Sequence, residues 1–192
     1  MPINERVHDR EMLDILEQLD PQPFVGNAWG AVRSGRDPMR GSTANGRWGA
    51  SGEFEVLYTA CDRDGALAEI GYRMSLEPIW PTKIRHHVHR VEVALDRVLD
   101  LTDFSLLTHL GIHQDSFEGH RYDGEQAVSA AARFLEFQAI LVPNARYPGN
   151  NLVVYPDLEG ALNGLSHLES EPVDWNAWRA NNRNRPTRRR LS

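Results

Sequence analysis

The stretch from Ser34 to Gly52 limits what this chain can fold into more than any other. It carries five glycines, Pro38 and several Ser and Thr residues. On one side lies Phe24–Arg33, apolar and aromatic with small residues interleaved. On the other lies Glu55–Ala60. Both read as strands. Glycine and proline at that density build neither a helix interior nor a central strand. The two strands are therefore joined by a long irregular connection. Long loops in compact domains serve a site or are disordered. Arg47 and Trp48, in the middle of this one, argue for a site.

The remaining signals are strands interrupted by single helices. Met12, Leu13, Ile15, Leu16 and Leu19 mark one face of a helix over Asp9–Leu19, stopped by Pro21 and Pro23. Asp62 or Asp64 can cap a helix whose apolar side holds Ala66, Leu67, Ile70 and Met74. Val88–Leu95 alternates as a strand, with Leu99–Leu101 as a short extension. Thr102 or Asp103 opens a helix that Gly111 stops, and Gln126–Phe137 is an alanine-rich amphipathic helix. Two further strands are expected at Ala139–Val142 and Asn151–Tyr155, around the polar loop Pro143–Asn150. After Pro156 the signals fade. This order is no regular βαβ repeat. It predicts an α+β fold with a mixed or antiparallel sheet and flanking helices.

The chain of 192 residues fits one domain with short appendages. The expected division is a helical extension over 1–22, a body over 23–178 and a basic tail over 179–192. The net charge of -6 conceals an asymmetry, because six of the 21 Lys and Arg residues lie between Arg179 and Arg190. The body is strongly acidic, so its general field does not attract nucleic acid. The tail can bind phosphate or an acidic protein, or serve as a solubilising end. One cysteine, Cys61, forms no internal disulfide and suits a reducing compartment. It reads as a small core residue rather than a nucleophile. No apolar run approaches a membrane span, and no secretory pattern opens the chain. The expected location is the cytoplasm, without a membrane.

Arg47 offers a planar fork of donors for phosphate or carboxylate, after a glycine that permits a tight backbone path. The plain alternative is an ion pair to Glu53 or Glu55 that pins the loop. Trp48 can wall a pocket or fill the core. Glu69, in Ala66-Leu67-Ala68-Glu69-Ile70-Gly71, is either an exposed helix position or the one charge beside a packed face. A semi-buried Glu69 near Arg47 could hold a sugar hydroxyl and stabilise developing positive charge. Tyr58 lines the same pocket or the core, and Asn144 orients a ligand or satisfies a turn. His86, His87 and His89 cluster, but no third metal ligand follows any recognised spacing, and a solvated strand face is the simpler reading. No metal site is expected. Dinucleotide-fold, P-loop, serine-elbow and zinc-protease motifs are absent.

Gly35-Arg36-Asp37-Pro38, Gly46-Arg47-Trp48, Leu57-Tyr58-Thr59-Ala60, Ala66-Leu67-Ala68-Glu69, Val142-Pro143-Asn144-Ala145 and Asn150-Asn151-Leu152-Val153 occur in that order. Together they resemble the RES domain family, over about residues 24 to 157. That family comprises toxins of bacterial toxin–antitoxin pairs that degrade NAD+. The resemblance implies an ADP-ribosyltransferase-like split, mostly antiparallel sheet with NAD+ in its cleft. It implies cleavage of the nicotinamide–ribose bond, by water or by inorganic phosphate as co-substrate, with no separate cofactor. Arg47 matches the family's Gly-Arg-Trp arginine and Glu69 its glutamate. In this reading Arg47 holds the pyrophosphate, Glu69 stabilises the ribose cation, Tyr58 and Trp48 pack near a ring, and Asn144 orients the nucleotide. Two positions depart from the family: Gly30 follows Trp29 where an arginine is usual, and Asn144 replaces a serine. Arg33 is the nearest substitute for the missing guanidinium, though on the opposite strand face. The implied partner is an antitoxin with a helix-turn-helix DNA-binding segment. A homodimer is left open. The competing expectations are an NAD-binding domain without turnover and an interaction module without nucleotide.

Overall fold

A computed structural model describes residues 8–182 of the chain. The order is α1 (Arg10–Glu17), β1 (Gln22–Arg33), β2 (Leu57–Ala60), α2 (Arg63–Ser75) and β3 (His86–Asp100). Then follow α3 (Phe104–His109), α4 (Gln114–Phe117), α5 (Asp123–Phe134), β4 (Ala139–Pro143), β5 (Asn150–Val154), β6 (Leu165–Pro172) and α6 (Trp175–Asn182). The fold is α+β, as the sequence pattern and the resemblance predict.

The strands run β1-β2-β5-β4-β3-β6, and β1 also pairs with β3. That extra pairing closes the sheet on itself. Every pair is antiparallel except β3 with β4. β3 makes closure possible because it is long. Its first part lies between β1 and β6, and its last residues, Val98 to Asp100, pair with β4. Between β1 and β2 the pairing is a single step, Trp29 with Ala60. The sheet therefore opens where the long Ser34–Gly52 connection leaves it.

Alternation sets which residues fill the interior. Val91, Val93 and Leu95 of β3 point to one side and pack with Ala28, Leu57, Leu152 and Val154. A second cluster joins the other side of β4 and β5 to the helices, through Ile140, Val153, Val128, Ala131 and Leu107. α1 adds Leu16, which is fully buried, with Met12, Leu13, Ile15 and Leu19 around it. Burying one such leucine contributes about 1.5–3 kcal/mol. The apolar face of α1 thus packs on the body. A third cluster holds α2 and α6 to the sheet, through Leu67, Met74, Val88 and Trp175.

The helix starts follow their caps. Asp9 accepts from Met12 N–H and Asp103 from Ser105 N–H. Asp62 occupies the N-cap of α2 but makes no side-chain cap bond. β6 and α6 lie in the region where the sequence signals fade; β6 exposes nearly all its residues and shows no apolar alternation. α6 carries the helix past residue 178. The arginines from 183 to 190 lie outside the described residues. No helix among the described residues is long and apolar enough to cross a membrane.

Candidate functional site

The Ser34–Gly52 connection, β2 and α2 enclose a cavity of about 820 Å³. Arg47, Trp48, Tyr58, Glu69 and Arg33 all line it. The glutamate that could have been an exposed helix position is half-buried and faces this space.

The arginine turn is built tightly. Gly46 and Gly49 bond to each other across it, N to O at 2.9 and 3.4 Å. Tyr58 rises from β2 into the turn, and its hydroxyl accepts the Trp48 N–H at 3.2 Å. A Cβ on Gly46 would lie 2.5 Å from that hydroxyl, and one on Gly49 2.8 Å from the Val56 side chain. Both positions therefore require glycine for close approach. Burial pushes the Tyr58 phenol up to about 12, so it stays protonated.

α5 holds the turn from the far side. Ser129 Oγ donates to the Trp48 carbonyl at 2.5 Å. Gln126 Nε2 donates to the Gly46 carbonyl at 2.8 Å and to Asn45 Oδ1 at 2.9 Å. Arg47 Nη1 donates to Glu125 Oε1 at 3.0 Å, with the two side chains 11% and 7% exposed. Its Nη2 donates to the Gly119 carbonyl at 3.3 Å. Phe117 and Tyr122 stack on the guanidinium, each 4.7 Å away. The ion pair offered as the alternative reading of Arg47, with Glu53 or Glu55, forms with Glu125. Sequence distance concealed it, because Glu125 lies 78 residues on. The guanidinium is thus neutralised and held by groups outside the cavity lining, so the plain alternative, an ion pair that pins the loop, is what forms, while the residue itself still borders the cavity.

Trp48 is both wall and core. It is 1% exposed, meets Phe117 at 6.4 Å between ring centres and still contributes to the cavity lining.

Charge distinguishes this cavity from the rest of the body. Arg33, Arg36, Arg40, Arg73 and the Glu125-paired Arg47 line it, against Asp37, Glu69 and Glu77. An acidic body thus carries a locally basic pocket, the arrangement that draws in an anionic ligand. Arg73 lies one turn beyond Glu69 on α2, so both face the same way. Arg33 shares the cavity side of β1 with Trp29 and Ala31. Gly30 alternates to the other side, where a Cβ would meet only the Tyr58 carbonyl at 3.7 Å. Arg33 therefore reaches the cavity, but not along the direction a residue-30 side chain would take.

Asn144 is elsewhere. It is fully buried, and its amide meets the Gly65 carbonyl, Asn151 and the Arg146 N–H. Its neighbour Asn151 lines the cavity instead. The residues that sequence reasoning missed are Glu125, Arg73 and Asn151. The doublet Asn150-Asn151 was visible as a motif piece, but only strand pairing shows which member faces inward.

The other candidates resolve physically. Burial and then Asp62 push the Cys61 thiol up to about 11, which leaves it unreactive. His86 and His89 are buried, 6% and 7% exposed, so the solvated strand face expected for them is not what forms. His86 Nδ1 accepts from Trp175 Nε1 at 3.2 Å, and His89 Nδ1 faces His167 Nε2 at 3.2 Å. No group of three or more His, Cys, Asp or Glu residues able to hold a metal occurs among the described residues.

The chain matches the RES domain over residues 27–176. It belongs to the RES domain family. The probable NAD(+) phosphorylase Rv3189 of Mycobacterium tuberculosis (strain ATCC 25618 / H37Rv) is 39% identical over 141 residues. That match covers 73% of this chain and 63% of the relative. The NAD(+) phosphorylase MbcT of Mycobacterium bovis (strain ATCC BAA-935 / AF2122/97) is 29% identical over 126 residues, 62% of this chain and 68% of the relative. In fold the chain is similar to a chain from the crystal structure of the M. tuberculosis MbcT–MbcA toxin–antitoxin complex. The TM-score is 0.77 at 24% identity, over 90% of this chain and 97% of that one. The RES match begins in β1 and ends at the start of α6, so it takes in every cavity wall described above.

Proposed function

We propose that this RES domain is an NAD+-degrading toxin of the cytoplasm that cleaves the nicotinamide–ribose bond, with inorganic phosphate as the favoured acceptor. The observation that carries the reading is the shared cavity. The Glu69 carboxylate and a surplus of arginines over acidic residues line a space of about 820 Å³, within the size range of cofactor and ligand sites. The names of the two relatives, one an NAD(+) phosphorylase and the other a probable NAD(+) phosphorylase, support phosphate over water.

In this reading the arginines bind the pyrophosphate and the incoming phosphate. The C–N bond to nicotinamide breaks, and nicotinamide leaves as a neutral molecule with the bonding electron pair. Positive charge then develops at the anomeric carbon, where the Glu69 carboxylate stabilises it. A phosphate oxygen forms the new C–O bond. The product is ADP-ribose carrying a phosphate on that carbon. Fixed charges in a partly dry pocket act more strongly than in water, and their prior orientation costs nothing at the moment of reaction.

The test is mass analysis of NAD+ incubated with purified protein at two phosphate levels. Nicotinamide with phosphorylated ADP-ribose supports phosphorolysis, and nicotinamide with plain ADP-ribose supports hydrolysis. Absence of nicotinamide release from the wild type would remove the enzymatic claim. Glu69→Gln should lose at least 100-fold in rate, in the range of about 10²–10³ typical for one electrostatic contact.

A second reading has one observation in its favour. Gly30 leaves no guanidinium where the family usually has one, so the domain binds NAD+ with little turnover. Saturable NAD+ binding without product would select it. The relative solved within a toxin–antitoxin complex supports a protein partner as well. We place that partner over the cavity mouth, where it would block substrate entry.

A further inference from the structure

Asn151 has no role in the reading above, yet its surroundings leave it one. It sits on β5, opposite Ala60 of β2 and Val142 of β4. It is 9% exposed and lines the cavity that Arg47 and Glu69 share.

Backbone groups fix which way its amide points. Arg146 N–H can only donate, so the Asn144 atom 2.8 Å from it is the acceptor Oδ1. Asn144 Nδ2 must then face the Gly65 carbonyl at 3.3 Å, which can only accept. The same Nδ2 meets Asn151 at 2.8 Å, so Asn151 presents Oδ1 to it. Reversing either amide would set donor against donor or acceptor against acceptor inside a buried network, a costly arrangement. The group left over is Asn151 Nδ2. It makes no hydrogen bond among the described residues.

Two further facts place this donor. The network is anchored on Gly65, one turn before Glu69 on the same face of α2. Asn151 therefore lies toward the Glu69 part of the cavity. It is also uncharged, unlike the five arginines of the lining. An amide N–H₂ beside a carboxylate suits a neutral oxygen better than a phosphate.

Resting on the NAD+ reading, we infer that Asn151 is a substrate-contacting specificity residue. Its Nδ2 donates to a neutral acceptor oxygen at the nicotinamide-riboside end of the dinucleotide. Asn144 is its positioning residue, holding the amide in that orientation. The side chain that replaces the family's serine thus acts at one remove.

The experiment is Asn151→Asp, with NAD+ binding measured by calorimetry and turnover by nicotinamide release. The carboxylate still accepts from Asn144 Nδ2, so the fold keeps its contact. At the cavity it offers an acceptor where a donor stood. The expected result is a cooperative melting transition lowered by the buried carboxylate near Glu69, with Kd and KM for NAD+ raised at least tenfold and kcat changed less than threefold. Asn151→Ala should weaken binding less, because it removes the donor without adding repulsion. The acid analogue of the dinucleotide, with carboxylate for carboxamide, identifies the oxygen. An extra tenfold loss for that analogue in Asn151→Asp assigns the carboxamide, and an equal loss for both ligands assigns the ribose ring oxygen, which can only accept. Equal NAD+ binding by wild type and Asn151→Asp overturns the inference alone. A wild type that neither binds nor cleaves NAD+ overturns the substrate, and the inference with it.

Discussion

Gly46→Ala tests how the arginine turn is held. The added carbon would lie 2.5 Å from the Tyr58 hydroxyl and 3.1 Å from its Cζ. Ordinary contact needs about 3.5 Å, so roughly 1 Å of overlap has to be relieved. Tyr58 cannot retreat without releasing the Trp48 N–H that its hydroxyl accepts at 3.2 Å. The turn cannot open without lengthening the Gly46–Gly49 bonds or pulling away from Gln126, which donates to the Gly46 carbonyl at 2.8 Å. Overpacking costs about 1–3 kcal/mol, and one lost hydrogen bond adds about 1 kcal/mol. The sum, about 2–4 kcal/mol, lowers the melting temperature of a domain this size by about 4–16 °C. Thermal unfolding followed by circular dichroism measures it. Tyr58→Phe in the same chain removes the closer contact, so the double variant should lose less than the two single losses added together. A Gly46→Ala protein that melts within 1 °C of wild type, or strictly additive losses in the double variant, would refute the reasoning.

Arg47→Ala strands Glu125 as a buried carboxylate and should cost about 3–5 kcal/mol in urea unfolding; Arg47→Ala with Glu125→Leu should recover most of that. Cys61, held near 11, is about one part in a thousand thiolate at pH 8, so iodoacetamide should label it far more slowly in native protein than in urea. Burial, and then the charge of Arg33, lower the His86 pKa from its ordinary 6.5. The unfolded chain therefore binds more protons below pH 6.5. The stability tied to a neutral His86 is whole above that pH and lost as pH falls from there through the lower folded value. Protonation at Nδ1 would also break the bond from Trp175. Unfolding free energy should decline with pH across that window in the wild type, and decline less in His86→Gln.

Much of the fold was legible because local pattern and tertiary role agree. Val91, Val93 and Leu95 alternate and are buried, and Asp103 and Gly111 do mark a helix start and its stop. β6 escaped because its side chains face outward and its pairing with β3 comes from backbone bonds that no periodicity records. At the site, Arg47 and Glu69 were legible as motif pieces, and both line the cavity. Their surroundings were not legible. Glu125, Gln126 and Ser129 hold the arginine turn from α5, about eighty positions away. Asn144 and Asn151 show the same limit on a small scale. Either asparagine could have faced a ligand, and only the closed pairing of β4, β5 and β2 turns one inward and buries the other.

The balance of charge explains how an acidic protein could take an anionic substrate. Arginines contributed by β1, the following connection and α2 converge on one cavity, while acidic residues such as Asp14, Asp96 and Glu169 lie at exposed positions elsewhere. Raising salt should therefore weaken NAD+ binding, because a local basic field over the pocket is screened within about 8–10 Å at physiological ionic strength.

The most direct measurement is a crystal structure of the Glu69→Gln protein grown with NAD+. It should show one dinucleotide in the hollow between residues 47 and 69, its pyrophosphate on guanidinium groups and its nicotinamide riboside beside residue 69. A dinucleotide bound elsewhere, or a hollow that stays empty at saturating NAD+, would contradict the account.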